Sequence, residues 1–100
     1  MIDIRTTPEF DVWLRGLRDG LSQRRLLARL RKASMGLLGD VQPIGDGVME
    51  MREHFGPGWR MYYVQHGVVL IVMLGGGDKA SQSKDIAKAL QLAQQLELDK

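Results

Sequence analysis

The periodicity of the apolar residues changes along this chain, and that change constrains the fold more than any other feature. From Phe10 to residue 35 apolar side chains recur at helical spacing, whereas from Val48 to Leu74 they alternate or form one continuous run. Residues 36–47, between the two regions, are rich in glycine, proline and aspartate, which is typical of a loop. Helical spacing returns after residue 80. Helices grouped apart from strands favour an α+β fold.

The N-terminal half predicts one strand followed by a helix hairpin. Residues 1–6 alternate as a short strand. Thr7-Pro8 predicts the start of a helix, because threonine caps free N–H groups and proline fits the first turn. Asp19-Gly20 interrupts that helix, and Ser22 can cap a second one that ends at Met35-Gly36. We expect the helices to pack against one face of the sheet.

The C-terminal half predicts three strands and a helix. Residues 48–54, 59–64 and 68–74 read as strands, and their short connections indicate an antiparallel three-stranded meander. The third is apolar throughout, so we expect it to be central and buried on both faces. Ser81 or Ser83 can cap the final helix. The chain of 100 residues is expected to form a single domain, 1–100.

Composition excludes several classes of protein. The chain has no cysteine and only two histidines, so we expect no disulfide, no metal site and no cofactor. Its N-terminus lacks the apolar stretch of a signal peptide. The longest apolar run, residues 68–74, is far shorter than the roughly 20 residues of a membrane helix. These features predict a cytoplasmic protein without membrane contact.

Positive charge is concentrated in the helix hairpin. Residues 15–32 contain seven basic side chains against one acid, a local charge of +6 in a chain whose net charge is +2. Such a stretch can attract nucleic acid or an acidic protein, or it can be a solvated helix face.

Three basic residues at strand ends suggest a site for phosphate. Arg60 follows the turn Gly56-Pro57-Gly58, and its planar fork of N–H donors matches phosphate oxygens. The alternative is a structural ion pair of Arg60 with Glu50 or Glu53. Arg52 can serve the same site or anchor the sheet. Lys79 follows three glycines and precedes a helix, where backbone N–H groups and the helix dipole favour an anion.

Other side chains could bind RNA or transfer protons. His54 can exchange protons near neutral pH, so it is a candidate general acid or base, or a plain surface residue. Tyr62 alternates onto the same face as Arg60 and could stack on a base, while Tyr63 packs in the core. Further hydrogen-bond donors near Lys79 are Ser81, Gln82 and Lys84.

These residue types fit metal-free cleavage of RNA. In that reaction the ribose 2′-hydroxyl attacks the adjacent phosphate, and the enzyme transfers protons and stabilises the developing negative charge.

The chain also resembles a known family over nearly its whole length, the bacterial addiction-module killer toxins of the RelE/ParE superfamily, HigB-like branch. The residues that carry the resemblance are Phe10-x-x-Trp13-Leu14, Gly36-x-x-Gly39-Asp40, Gly47-Val48-x-Glu50-x-Arg52, Gly56-Pro57-Gly58-Trp59-Arg60-x-Tyr62-Tyr63 and Gly76-Gly77-Asp78-Lys79-x-x-Gln82-x-x-Asp85-Ile86.

The resemblance implies a RelE-like fold and the toxin of a type II toxin-antitoxin system. Its implied partners are a cognate helix-turn-helix antitoxin, the ribosome and mRNA, with operator DNA bound only through the antitoxin. Many relatives are ribosome-dependent mRNA endonucleases (mRNA interferases), whereas the ParE branch poisons DNA gyrase. A degenerate toxin that only binds its antitoxin and operator DNA is a third alternative.

Only some of the active-site residues that the family implies are matched in this sequence. Arg60 matches the phosphate-contacting arginine of RelE-like nucleases, and Lys79 falls near a second basic position. Val48 and Glu50 stand where RelE toxins have lysines, and Ile86 stands where they have a tyrosine. Either His54 or Glu50 then substitutes in proton transfer, or cleavage is slow, or the target differs.

Overall fold

A computed structural model describes residues 1–98 and shows five strands and three helices within them. The strands are β1 (Asp3–Thr6), β2 (Val41–Gly45), β3 (Val48–Arg52), β4 (Arg60–His66) and β5 (Leu70–Gly77). The helices are α1 (Pro8–Arg15), α2 (Gly20–Ser34) and α3 (Gln82–Leu98). No helix in this part of the chain is long and apolar enough to span a membrane.

All five strands join one sheet, in the order β1-β5-β4-β3-β2. Strands β3, β4 and β5 form the predicted antiparallel meander, and β1 adds to β5 in parallel. The α+β class and the order of the predicted elements are therefore confirmed.

The prediction of a loop throughout residues 36–47 is wrong, because β2 lies within that segment and pairs with β3. Its proline and glycines are typical of loops, but β2 is an edge strand, where Pro43 need not donate a hydrogen bond to a second neighbour. The pairing register shifts between Pro43 and Gly45. Its edge position and irregular pairing together explain why the sequence pattern does not predict this strand.

The prediction that the helices share one face of the sheet is also wrong. On one face the core contains Phe10, Leu14, Leu26 and Leu30 of α1 and α2, packed against inward-facing residues of the strands. On the opposite face Ala89 of α3 packs with a separate buried cluster, whose other members are Val48, Tyr62 and Leu74. The sheet is therefore covered on both sides.

Strand β5 begins and ends later than its apolar run suggests. Val68 and Val69 lie exposed in the turn before the strand, while Gly75-Gly76-Gly77, predicted as a loop, continue its pairing with β4. The glycines are needed for space: a Cβ added to Gly76 would lie 2.4 Å from the Trp13 ring, and one on Gly77 would lie 1.8 Å from the Asp85 carboxylate. The α1 and α3 helices thus approach the bare backbone of β5.

Side-chain caps fix the starts of the first two helices. The Thr7 hydroxyl accepts a hydrogen bond from the Phe10 N–H and donates one to the Leu74 carbonyl, which ties α1 to β5. Asp19, not Ser22, caps α2, because its carboxylate accepts from the Leu21 N–H. Ser22 is buried and donates to the same carboxylate, which lowers the pKa of Asp19. Leu21, in the first turn of α2, is exposed.

Candidate functional site

The Arg60 side chain is held in a fixed orientation at the start of β4. Its Nη1 donates to the carbonyl oxygens of Glu53 (3.0 Å) and Trp59 (3.1 Å), and only 7% of the residue is exposed. The Glu50 carboxylate lies 4.0 Å from Nε, as the structural alternative for this arginine anticipates. Within the described residues, Nε and Nη2 make no hydrogen bond. Because Nε is buried beside Glu50, Nη2 is the group of this guanidinium that is left to donate to a ligand.

Lys79 adjoins Arg60 across Gly58. A Cβ placed on Gly58 would lie 3.3 Å from the Lys79 Cβ and 3.7 Å from Arg60 Nη1. Gly58 also has a φ of +79°, which side-chain-bearing residues rarely adopt. The Lys79 N–H donates to the Pro57 carbonyl, which joins the two loops. The Gly-Pro-Gly turn thus brings an exposed lysine beside a buried arginine at one end of the sheet.

A buried polar cluster lies behind Arg60, under the first turn of α3. Glu50 is 3% exposed and accepts a hydrogen bond of 2.9 Å from the Gln82 side chain. Tyr62 pairs with Glu50 across β3 and β4, and its hydroxyl has no hydrogen-bond partner among the described residues. Burial, followed by the nearby Glu50 charge, raises the pKa of Tyr62, so this phenol stays protonated at neutral pH.

The predicted base-stacking role of Tyr62 does not agree with its position. Tyr62 lies on the same face of the sheet as Arg60, as predicted, but α3 covers that face and leaves the residue 0% exposed. Tyr63 is equally buried, on the opposite face, where burial also raises its pKa. Neither ring offers a free surface to a base in this structure.

His54 lies on the exposed side of the same end of the sheet. Its Nε2 is 2.7 Å from the Asp40 Oδ2, and 68% of its side chain is exposed. Arg52 Nε approaches the same Asp40 oxygen at 3.4 Å, and Arg52 also donates to Gln42. The hydrogen bond from His54, aided by the Arg52 charge, lowers the pKa of Asp40. This carboxylate is therefore ionised at neutral pH.

Of the hydrogen-bond donors predicted around Lys79, two are bonded within the fold and one is exposed. Ser81 donates to the Asp85 carboxylate and interacts with Asp78, so it organises the start of α3. Gln82 is bonded to Glu50, whereas Lys84 is exposed on α3. Asp85 partners Ser81 in the first turn of the helix, where a negative charge is favourable.

The sequence interpretation missed two residues that shape this region. Arg29, counted among the surface charges of the hairpin, donates to the carbonyls of Leu38, Asp40 and Arg52 and to the Glu53 carboxylate. Asp40, assigned to a loop, is the partner of His54. Neither role leaves a signal in the sequence, since both depend on contacts between residues 9 to 24 positions apart.

The described residues contain no group of histidine and carboxylate side chains suited to a metal ion. A cavity of about 670 Å³ lies between α1, α3 and β5, and its lining includes Val12, Trp13, Gly75 and Leu92. Arg60, Lys79 and His54 do not line it. The candidate site is accordingly an open surface at the end of the sheet.

Comparison with known proteins gives a relative of nearly the same length. No protein-family model matches the chain. An uncharacterized protein of Haemophilus influenzae is 40% identical over 97 residues, which cover 97% of this chain and 98% of that protein.

Two solved structures share the fold. The solution structure of the conserved hypothetical protein HP0894 from Helicobacter pylori has a TM-score of 0.56 at 17% identity, over 80% of this chain and 97% of that one. The crystal structure of YafQ from E. coli strain BL21(DE3) has a TM-score of 0.50 at 18% identity, over 82% of this chain and 98% of that one. The chain has the RelE-like α+β fold that these two structures share, and it belongs to the same family as the Haemophilus influenzae protein.

Proposed function

We propose that this protein is the toxin of a type II toxin-antitoxin system and cleaves mRNA on the ribosome without a metal ion. A cognate antitoxin would hold it inactive. The RelE-like fold supports the class, and the arrangement of Arg60 beside Lys79 supports the chemistry. The HigB-like assignment within the superfamily is part of the same proposal.

The unpartnered Nη2 of the Arg60 guanidinium is the observation that carries the proposal. Two main-chain carbonyls fix Nη1, and Nε is buried beside Glu50, while Nη2 keeps donors that can contact a phosphate oxygen. Preorganised positive groups stabilise the charge that develops on a phosphate under attack, and they need no rearrangement to do so. Lys79 adds a second positive charge from the exposed side.

His54 is the better placed of the two residues considered for proton transfer. Glu50 is buried and bonded to Gln82, so a ribose hydroxyl cannot reach it in this structure. His54 is exposed at the same end of the sheet as Arg60. We therefore assign the general base to His54, with Arg60 and Lys79 stabilising the phosphate. Arg52 and Lys84 remain proposed RNA contacts.

Primer extension tests this function. A defined mRNA is incubated with purified protein, with and without translating ribosomes, and wild type is compared with Arg60→Ala, Arg60→Lys and Arg5→Ala. We expect new 5′ ends that require ribosomes, a loss of at least about a hundredfold in Arg60→Ala, and a partial loss in Arg60→Lys, whose ammonium keeps the charge but not the fork.

Arg5→Ala is the matched control, because Arg5 is exposed on β1 and pairs with Asp3. Circular dichroism of each variant shows whether it folds. Absence of cleavage by the wild type under both conditions would contradict the proposal. Inhibition of gyrase supercoiling would then identify the second candidate function, and normal growth of cells that express the protein without an antitoxin would identify a degenerate toxin.

A further inference from the structure

The carboxylate of Asp40 touches the one histidine that the proposed reaction uses. Asp40 Oδ2 lies 2.7 Å from His54 Nε2. An ionised carboxylate can only accept hydrogen bonds, so Nε2 must carry the proton in this contact. In the neutral ring, the other nitrogen, Nδ1, then has a free lone pair.

Resting on the proposed function, we propose that Asp40 is the positioning residue for His54 and holds the ring so that Nδ1 accepts the proton of the ribose 2′-hydroxyl. Asp40 does not touch the RNA in this arrangement. It acts by fixing the tautomer of His54 and by stabilising the imidazolium that forms.

Asp40 is itself held from two sides of the fold. Its carbonyl oxygen accepts a hydrogen bond of 2.8 Å from Arg29 Nη2 and another of 3.0 Å from the Arg52 N–H. Arg29 belongs to α2, on the opposite face of the sheet from α3, and Arg52 belongs to β3. These hydrogen bonds fix the segment before β2 in place. A residue can orient another side chain only if its own position is fixed.

The same contacts place His54 at the end of the sheet where Arg60 lies. Arg52 and Arg60 are opposite one another across β3 and β4. Glu53 follows Arg52 in the chain, and its carbonyl oxygen accepts a hydrogen bond from Arg60 Nη1. His54 is the next residue. Asp40 also draws the Arg52 guanidinium toward His54, because Arg52 Nε lies 3.4 Å from the same carboxylate oxygen.

The proposed step balances without a further reactant. The 2′-hydroxyl loses its proton to Nδ1, and its oxygen forms a bond to phosphorus. The bond from phosphorus to the 5′-oxygen breaks, and the departing oxygen takes its electron pair and then a proton from a water molecule. The hydroxide that remains takes the proton from Nδ1, which restores the neutral ring of His54. The products are a 2′,3′-cyclic phosphate and a free 5′-hydroxyl.

Nitrogen NMR of ¹⁵N-histidine-labelled protein tests the positioning directly, since the two ring tautomers have different ¹⁵N shifts. Wild type is compared with Asp40→Asn and with Asp46→Asn, a matched loss of charge in the β2–β3 turn. We expect His54 to be the Nε2–H tautomer in wild type and Asp46→Asn. In Asp40→Asn we expect a mixture, because an amide can either donate or accept. His66 serves as an internal reference.

Cleavage kinetics complete the test. We expect Asp40→Asn to lower kcat by about tenfold to a hundredfold with KM unchanged, because general base catalysis contributes about 10²–10⁴-fold and losing the positioning residue removes only part of it. An Nδ1–H tautomer in wild type, or a kcat of Asp40→Asn equal to that of Asp46→Asn, would overturn this role alone. Absence of wild-type cleavage would overturn the proposed function and this role together.

Discussion

Single charged residues organise the candidate site through contacts that are distant in sequence. Arg29 is the clearest case, because one guanidinium bonds three carbonyls and the Glu53 carboxylate, and its side chain is only 11% exposed. It joins α2 to the segment before β2 and to the end of β3. A planar fork with five donors can satisfy all of these acceptors, which a lysine ammonium cannot.

Arg29→Lys should therefore destabilise the fold although the charge is kept. We expect a loss of about 2–4 kcal/mol in the free energy of unfolding, because several partly buried acceptors lose their donors. Urea denaturation measures it. The control Arg31→Lys, exposed on the same helix, should change stability by less than about 0.5 kcal/mol. Equal stability of the two variants would show that Arg29 is not structural.

Among the elements, β5 determines how closely the helices approach the sheet. Its three glycines face different surroundings: Trp13 covers Gly76, Asp85 and Ser81 cover Gly77, and the direction of a Gly75 side chain is open. The predicted apolar run ends before these residues, yet they belong to the strand. The lack of side chains is what lets α1 and the start of α3 pack here.

Two single substitutions, at adjacent glycines, distinguish this packing effect from effects on the backbone. We expect Gly76→Ala to lower the free energy of unfolding by about 1–3 kcal/mol, because the new methyl group overlaps the Trp13 ring. Gly75→Ala meets no atom within 4 Å and should be neutral or stabilising by up to about 1 kcal/mol. Thermal unfolding followed by tryptophan fluorescence compares them, and equal melting temperatures would contradict this account of β5.

On the scale of the whole molecule, positive charge is divided between two regions. Arg60 and Lys79 lie at one end of the sheet, whereas most of the basic residues of the hairpin are exposed on α1, α2 and their connection. Arg29 is the exception, since it is used internally. Arg24 and Arg31 are seven positions apart on α2, so they share one helix face. An exposed basic face of this kind can guide the protein to ribosomal RNA.

The double variant Arg24→Ser/Arg31→Ser should weaken ribosome binding without unfolding the protein. We expect the slope of log affinity against log salt concentration to become shallower by about 0.7 to 0.9 for each phosphate contact that is removed. Binding at several salt concentrations measures this, with Arg5→Ser as the control for a surface charge elsewhere. An unchanged slope, with weaker binding to an antitoxin, would assign this face to the antitoxin.

Local features of the sequence were sufficient to predict much of the fold. The switch in periodicity indicated the α+β class, and short connections indicated the meander, because hydrogen-bonding and packing periods are local properties of the chain. The edge strand β2 was missed because an edge strand tolerates proline and glycine, whereas in a sequence these residues are typical of loops. The sequence also predicted that Arg60 and Lys79 would approach one another, from the turn and strand ends that precede them.

Local patterns along the chain account for the elements, most of their order, the charge distribution and the residue types of the candidate site. Which faces are covered depends on tertiary packing: α3 lies on the face of Tyr62 and Glu50, so both are buried, while His54 stays exposed with Asp40. Alternation along a strand tells which side chains share a face, but burial depends on what packs against that face. That packing joins residues far apart in the chain, which no local pattern encodes.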